Sequence, residues 1–304
     1  MSPKQPVVGF VGLGAMGSRM ALRLLDAGYP LVAYNRTPER AADVERAGAV
    51  VVATPAEVAE RAQVICGCLL DGQAVEHVYT GDNGLIDSSR SGQIYVEHGT
   101  FAPELARDLA TTLEQRGATF LDAPVTGGPE AASSGQLTMM IGGAAAAVAE
   151  MSDILHAYAG RISHIGGPGT GLQLKLVNQL LVTCHVAAAS EATAMIRRLE
   201  LPIEAASDVL NSGWGASAML NRNLSRLRDD LLDTSEATIG GLVEPQQLVA
   251  QLAAEAGLTL TLMPAASAMF RDAVALGLEA QDLAALFRVL EQPTPQARDS
   301  QPAR

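Results

Sequence analysis

Positive charge, cysteine and long apolar runs are all scarce in this 304-residue chain. Lys and Arg number 21 against 33 Asp and Glu, a formal net charge of −12. That balance argues against nucleic acid as a partner, because gripping a phosphate backbone takes clustered cations. The three cysteines, Cys66, Cys68 and Cys184, have neither metal-ligand spacing nor the count of a disulfide framework. A reducing cytoplasm and no bound metal are therefore expected. Cys66 and Cys68 share one face of the apolar stretch "VICGCLL" and read as small core residues. No run of about 20 apolar residues occurs, so no membrane span is expected. "MSPKQP" leads straight into a strand pattern, without the charged-then-apolar segment of a secretory signal. No repeat at solenoid periods is found. What the chain does have is bulk: 48% of its residues are hydrophobic, and its length allows two domains with cores of their own.

The most specific signal is "GFVGLGAMGS", where Gly12, Gly14 and Gly17 give the spacing G-x-G-x-x-G. The flanks supply the context that this fingerprint requires. Val7 to Val11 read as a buried strand, and Met20, Ala21, Leu24 and Leu25 follow at helical spacing, with Gly28 as a stop. On such a turn Gly12 permits the tight bend, Gly14 lets backbone approach a pyrophosphate, and Gly17 lets helix and strand pack closely. The helix N-terminus offers N–H groups to the phosphates. The turn itself, Gly12, Leu13, Gly14, Ala15, Met16 and Gly17, is the expected cofactor-binding segment.

The next strand ends in Asn35, Arg36 and Thr37, about 20 residues on, where an NAD site usually carries a carboxylate for the ribose hydroxyls. Asn35 can bond a ribose oxygen, and Arg36 can pair with a 2′-phosphate. NADP is the cofactor expected. NAD is the alternative if Arg36 merely stacks on adenine.

Up to about residue 165, strand patterns alternate with helical ones. They lie at Leu31 to Asn35, Val50 to Val52, Val64 to Leu69, Ile94 to Glu97, Thr119 to Leu121, Leu137 to Ile141 and Ile162 to Ile165. Helical patterns such as Glu39 to Ala47 and Pro103 to Arg116 separate most of them. An α/β fold with a doubly wound, mostly parallel sheet follows. "GGPGTG", Gly166 to Gly171, reads as a hinge. One long helical pattern runs from Leu172 to Leu199, then shorter ones at 203–211, 217–231, 245–256, 263–276 and 280–290. The expected organisation is a dinucleotide-binding domain over 1–165, an all-helical domain over 166–291 and a flexible tail over 292–304.

Within the long helix, Lys175 and Asn178 lie three apart on one face. A lysine among apolar neighbours either snorkels or works, and an amine beside a nicotinamide can exchange a proton with an alkoxide. A third stretch, "DAPVTGGPEAASSGQL", starts at the end of a strand, where open parallel sheets bind ligands. Thr126 offers a hydroxyl there, and Gly127 and Gly128 offer N–H groups. The stretch is either an anion cradle suited to a carboxylate or an ordinary glycine turn.

"GFVGLGAMGSRMA", "YNRT", "DAPVTGG" followed by "GQLTMMIGG", and "GTGLQLKLVNQ", in that order, resemble the β-hydroxyacid dehydrogenases. That group includes 3-hydroxyisobutyrate dehydrogenase, tartronate semialdehyde reductase and the glyoxylate/succinic semialdehyde reductases. The resemblance implies a Rossmann domain, a long interdomain helix and a helical domain that often mediates oligomers. It implies Lys175 as general acid/base assisted by Asn178, and Thr126, Gly127 and Gly128 on a substrate carboxylate. The reaction implied is NAD(P)-linked alcohol–aldehyde interconversion on a small molecule. Imine reductases are similar, but usually carry another residue in place of Lys175.

Departures accompany the resemblance. The family's Leu-Pro loop, on the adenine and ribose side, reads Leu69, Leu70, Asp71. Its D-x-S-T segment reads Glu97, His98, Gly99, Thr100. Thr100 is kept near the nicotinamide ribose or substrate, while Gly99 replaces the serine and His98 is read as strand-end packing. The family's Lys-Asp pair aligns with Glu244 and Pro245, which suits a helix start but exchanges a positive charge for a negative one. Weak activity on small carboxylated semialdehydes is the corresponding expectation. Trp214 in "SGWGAS" reads equally as a pocket wall or a core residue. The apolar late segments "LTLTLMPAASAMF" and "LAALFRVL" predict a homodimer or homotetramer. The function expected is NADP-linked hydride transfer on a small β-hydroxy acid or its semialdehyde. An imine-type reductase with an altered pocket, or a cofactor-binding protein without catalysis, are the alternatives.

Overall fold

A computed structural model describes residues 5–233 and 236–291. Its strands are β1 (Val8–Val11), β2 (Leu31–Tyr34), β3 (Val50–Val51), β4 (Val64–Gly67), β5 (Ile94–Glu97), β6 (Thr119–Asp122), β7 (Val125–Thr126), β8 (Leu137–Gly142) and β9 (Ala159–Gly166). Between them run α1 (Gly17–Asp26), α2 (Ala42–Arg46), α3 (Pro55–Arg61), α4 (Gly72–Thr80), α5 (Pro103–Glu114), α6 (Gly128–Ser134) and α7 (Ala145–Leu155). Then follow α8 (Thr170–Arg198), α9 (Ile203–Asn211), α10 (Ala218–Arg228), α11 (Val243–Glu255), α12 (Leu262–Ala275) and the short α13 (Arg288–Glu291). Two compact units, Met1–Asn178 and Gln179–Arg304, divide within α8.

The first unit is an α/β fold of the Rossmann type. Strand order is β3-β2-β1-β4-β5-β6-β8-β7, with β9 against β8. From β3 to β6 every pair is parallel. β8 runs antiparallel to β6 and β7, and β9 is parallel to β8. The central strands are apolar throughout because both of their faces are covered. Val8 and Phe10 of β1 pack with Met20 and Leu24 of α1. Val11 faces the other way, into a core with Val58 of α3, Val75 of α4 and Leu109 of α5.

The helix starts are built differently from one another. Thr54 caps α3 by accepting the Glu57 N–H at 3.3 Å. Asp71 caps α4 by accepting the Ala74 N–H at 2.7 Å. α1 has no side-chain cap and no acid in its first turn; the Ser18 and Met20 N–H groups donate back to the Gly14 and Met16 carbonyls.

In the second unit, the described residues form helices and 3-10 turns with one isolated bridge, Thr238 to Asp282. Buried Asp282 takes both terminal nitrogens of Arg222, at 2.8 and 2.7 Å, and faces Arg226 at 3.1 Å. It also caps the following 3-10 turn through the Ala284 N–H.

Several expectations are corrected. The strand expected over Val64 to Leu69 ends at Gly67, so Cys68, Leu69 and Leu70 belong to a loop, and Cys68 is only partly buried. β9 begins at Ala159, three residues earlier than expected. The link before the long helix shortens to Gly167–Gly169, and α8 begins at Thr170. No helix is expected within "DAPVTGGPEAASSGQL", yet Gly128–Ser134 form α6. The helical pattern over 217–231 stops at Arg228. "LAALF" is not surface for a partner: Leu283 to Phe287 are buried in the core of their own unit. Trp214 is not a core residue, for its relative exposure is 107%. The tail over 292–304 lies outside the described residues.

Candidate active site

The C-terminal ends of β1, β4, β5 and β6 share one edge of the sheet, and the turns with Gly12 to Gly17, Leu69 and Thr100 follow β1, β4 and β5 there. Their positions test the roles of the three glycines. Gly12 has φ +88°, and a Cβ there would come within 2.5 Å of the Cys68 carbonyl oxygen. A Cβ on Gly17 would come within 1.9 Å of the Gly12 carbonyl oxygen. At Gly14 a Cβ would meet nothing within 4 Å. Two glycines are thus demanded by the protein's own packing. The third faces open space, as a backbone approached by a ligand would. With the uncapped start of α1, the turn fits a dinucleotide pyrophosphate.

Asn35 is already engaged. Its Oδ1 accepts the Leu13 N–H at 2.7 Å and its Nδ2 donates to the Thr37 carbonyl at 2.8 Å. It ties the glycine turn to the end of β2, so its local work is to hold the turn's shape. Arg36 and Thr37 are exposed just beyond β2, where a guanidinium can reach a phosphate on the ribose. Leu69 is half-buried in the loop after β4, whereas Leu70 is 85% exposed.

Two residues without an assigned role in the sequence reading organise this edge. Glu97, fully buried at the end of β5, accepts the Leu69 N–H at 3.0 Å and the Gly99 N–H at 2.9 Å. Tyr79 donates its hydroxyl to the other carboxylate oxygen at 3.3 Å. Burial pushes the Glu97 carboxyl up to about 7, against the pull of these donors. Asp122, fully buried at the end of β6, accepts the Gly169 N–H at 2.7 Å and the Leu172 N–H at 2.9 Å. It is the cap of α8. Burial raises its pKa too, opposed by the backbone donors. A sequence signal existed for both: each is the last residue of an apolar strand, where a carboxylate must find donors or stay protonated.

His98 is packing, as expected. Its Nδ1 lies 2.8 Å from the Ala123 carbonyl oxygen and its Nε2 3.0 Å from the Tyr158 hydroxyl. Burial lowers its pKa to about 4, so the ring is neutral at physiological pH. The carbonyl must accept, so Nδ1 carries the hydrogen and Nε2 accepts from Tyr158.

Asp122 also opens the loop to the cradle. Thr126 ends β7, and Gly127 and Gly128 follow with φ +130° and +74°. Both lie in the region that glycine tolerates, and together they turn the chain into α6. Thr100, half-buried, lies just beyond β5.

Lys175 is on the second turn of α8, with only 8% of its surface exposed. Burial alone lowers its amine from 10.5 to about 8. A snorkelling lysine would keep its head in water. Asn178, half-buried, stands one turn further on the same helix face. In the second unit, Glu244 and Pro245 lie in the first turn of α11. Pro245 costs no helical hydrogen bond there, and Glu244 suits the helix dipole.

Residues 7–166 match the family model described as the NAD-binding domain of 6-phosphogluconate dehydrogenase. Residues 169–290 match that described as the NAD-binding of NADP-dependent 3-hydroxyisobutyrate dehydrogenase. L-threonate dehydrogenase of Cupriavidus necator is 35% identical over 284 residues, covering 93% of this chain and 95% of that protein. The mitochondrial 3-hydroxyisobutyrate dehydrogenase of Mus musculus is 36% identical over 215 residues, covering 71% of this chain. The matched part spans 64% of the mouse protein's own length. The crystal structure of a 3-hydroxyisobutyrate dehydrogenase from Salmonella typhimurium superposes with a TM-score of 0.86 at 28% identity, over 94% of this chain and 100% of that one. Both family models match the chain that carries the glycine turn, the carboxylate-capped helix and the buried lysine, and the chain belongs to the β-hydroxyacid dehydrogenase family.

Proposed function

We propose that this chain is an NADP-dependent dehydrogenase or reductase that interconverts a small β-hydroxy acid and its semialdehyde. The observation that carries the reading is Lys175, a buried amine near the range where a proton can pass in either direction. A bound nicotinamide supplies the hydride donor or acceptor. Lys175 gives a proton to the carbonyl oxygen during reduction and takes it from the hydroxyl during oxidation. Asn178 orients the same oxygen. Thr126 and the N–H groups of Gly127 and Gly128 hold the substrate carboxylate. The start of α1 receives the pyrophosphate, and Leu69, Leu70 and Thr100 border the adenosine and nicotinamide ribose. The acting assembly is a homodimer or homotetramer, supported by exposed Trp214 and by Leu258 and Leu262, at 62% and 73% exposure. The working domains are residues 1–165 for cofactor and 166–291 for substrate and assembly.

Arg36 separates NADP from NAD. Only NADP carries a 2′-phosphate, and a charge-assisted pair with Arg36 contributes about 1.5–3 kcal/mol. Arg36→Ala should weaken NADP binding by roughly ten- to a hundredfold while leaving NAD binding nearly unchanged. Titration of both cofactors checks this, and equal losses would count against the assignment.

A further inference from the structure

Gly67, Glu97, Asp122 and Gly142 are successive cross-strand partners in one row at the end of the sheet. Each carboxylate leans over the neighbouring glycine. A Cβ on Gly67 would come within 1.9 Å of Glu97 Oε2, and one on Gly142 within 2.5 Å of Asp122 Oδ1. Each carboxylate also collects two backbone N–H groups, Glu97 from two separate loops and Asp122 from one helix start. Glu97 joins the loops after β4 and β5 through Leu69 and Gly99. Asp122 joins the end of β6 to the start of α8 through Gly169 and Leu172. The same device is used twice in neighbouring strands. The two copies, however, hold different segments.

Gly99 belongs to the first copy. A Cβ there would come within 2.8 Å of the Leu69 carbonyl oxygen and 3.0 Å of Glu97 Oε1. The long carboxylate occupies the space in which a side chain at residue 99 would start. Gly67, Glu97 and Gly99 are one packing unit, and the missing serine of the sequence pattern is accounted for by it. In the second copy, the segment held is the first turn of α8, one turn before Lys175.

We propose that Glu97 and Asp122 are paired positioning residues with divided work: Glu97 sets the two loops that receive the cofactor, and Asp122 sets the helix end that carries Lys175. This rests on the reading of the glycine turn as a cofactor site and of Lys175 as the acid/base. Neither carboxylate touches a reacting atom in this scheme. Removing one should therefore disturb one function and spare the other.

The test uses the full chain and two readouts that need no substrate. The first is the dissociation constant for NADPH by fluorescence titration. The second is the pH midpoint of Lys175 acylation, read by mass spectrometry, since Lys4 and Lys175 are the only lysines in the sequence. Glu97→Gln should raise the NADPH dissociation constant about tenfold and leave the Lys175 midpoint in place. Asp122→Asn should keep NADPH affinity within about twofold. Loosening the start of α8 admits water to Lys175, whose depressed pKa stems from burial alone. Its midpoint should therefore rise toward the ordinary lysine value of about 10.4. Where either variant fails to fold, Gly67→Ala or Gly142→Ala displaces the same carboxylate without removing its charge and should give the same split. Joint movement of both readouts in either variant, movement of neither, or loss of folding in all four variants overturns the proposal. If the wild type binds no NADPH, the functional reading fails, while the Lys175 arm still decides the role of Asp122.

Discussion

Lys175→Met is expected to abolish turnover and, at the same time, to make the protein more stable. General acid catalysis contributes on the order of 10²–10⁴ in rate, and methionine has no proton to give. Cofactor affinity should stay, because the glycine turn and Arg36 do not involve this side chain. The gain in stability follows from linkage. Burial holds the Lys175 amine at about 8 in the fold, against about 10.4 in an unfolded chain. Above both values the amine is neutral in either state and costs nothing. As pH falls through this window, the unfolded chain takes up a proton first, and below about 8 the full cost applies. That cost is roughly 3 kcal/mol at neutral pH, and an isosteric apolar chain would remove most of it. Denaturant melts at pH 7 and at pH 10 check the account, with the advantage of the variant shrinking at the higher pH. The wild-type rate has a matching sign. Reduction needs the ammonium and should decline above about pH 8. Oxidation needs the free amine and should rise through the same range.

Gly17→Ala is the second large effect, and Gly14→Ala is its control. The Cβ of an alanine at 17 would lie 1.9 Å from a backbone oxygen of Gly12. Neither partner is a flexible side chain, so strand and helix would have to separate. Overpacking of this kind costs about 1–3 kcal/mol or more, and the pyrophosphate turn would be displaced with it. An alanine at 14 meets nothing within 4 Å, so the fold should melt as the wild type does. Its methyl group would stand where the pyrophosphate approaches. Thermal melts and NADP titrations of the two variants should therefore part: Gly17→Ala loses stability and binding, Gly14→Ala loses binding alone. A Gly14→Ala variant that binds NADP normally would show that the open space beside it is not a ligand's.

Much of this architecture is legible in the residues because its signals are periodic or forced. The apolar runs Val8–Val11 and Ile94–Glu97 and the helical spacing after Gly17 leave few alternatives, and the long helix has no breaker between Leu172 and Arg198. What escaped is carried by small residues or by partners distant in sequence. β7 is two residues long, and α6 opens on glycine and proline and closes on two serines, residues that suit a turn as well. The cap of α8 comes from Asp122, about 50 residues earlier in the chain, so no local capping pattern announces it. Asn35 is legible in part. Its position after β2 suggests a ribose ligand, and the fold adds work that the position does not announce: the amide also joins Leu13 to Thr37. Spacing alone also left snorkelling open for Lys175, and only the fold encloses the amine.

The central claim is tested most directly by mixing the purified protein with NADP⁺ and a panel of small β-hydroxy acids, including 3-hydroxyisobutyrate and L-threonate, and following NADPH formation. NADPH should form with at least one member of the panel, more slowly or not at all with NAD⁺, and not with Lys175→Met. A wild-type protein that binds NADP tightly yet oxidises no β-hydroxy acid, or a Lys175→Met variant that turns over as fast as the wild type, would contradict the account.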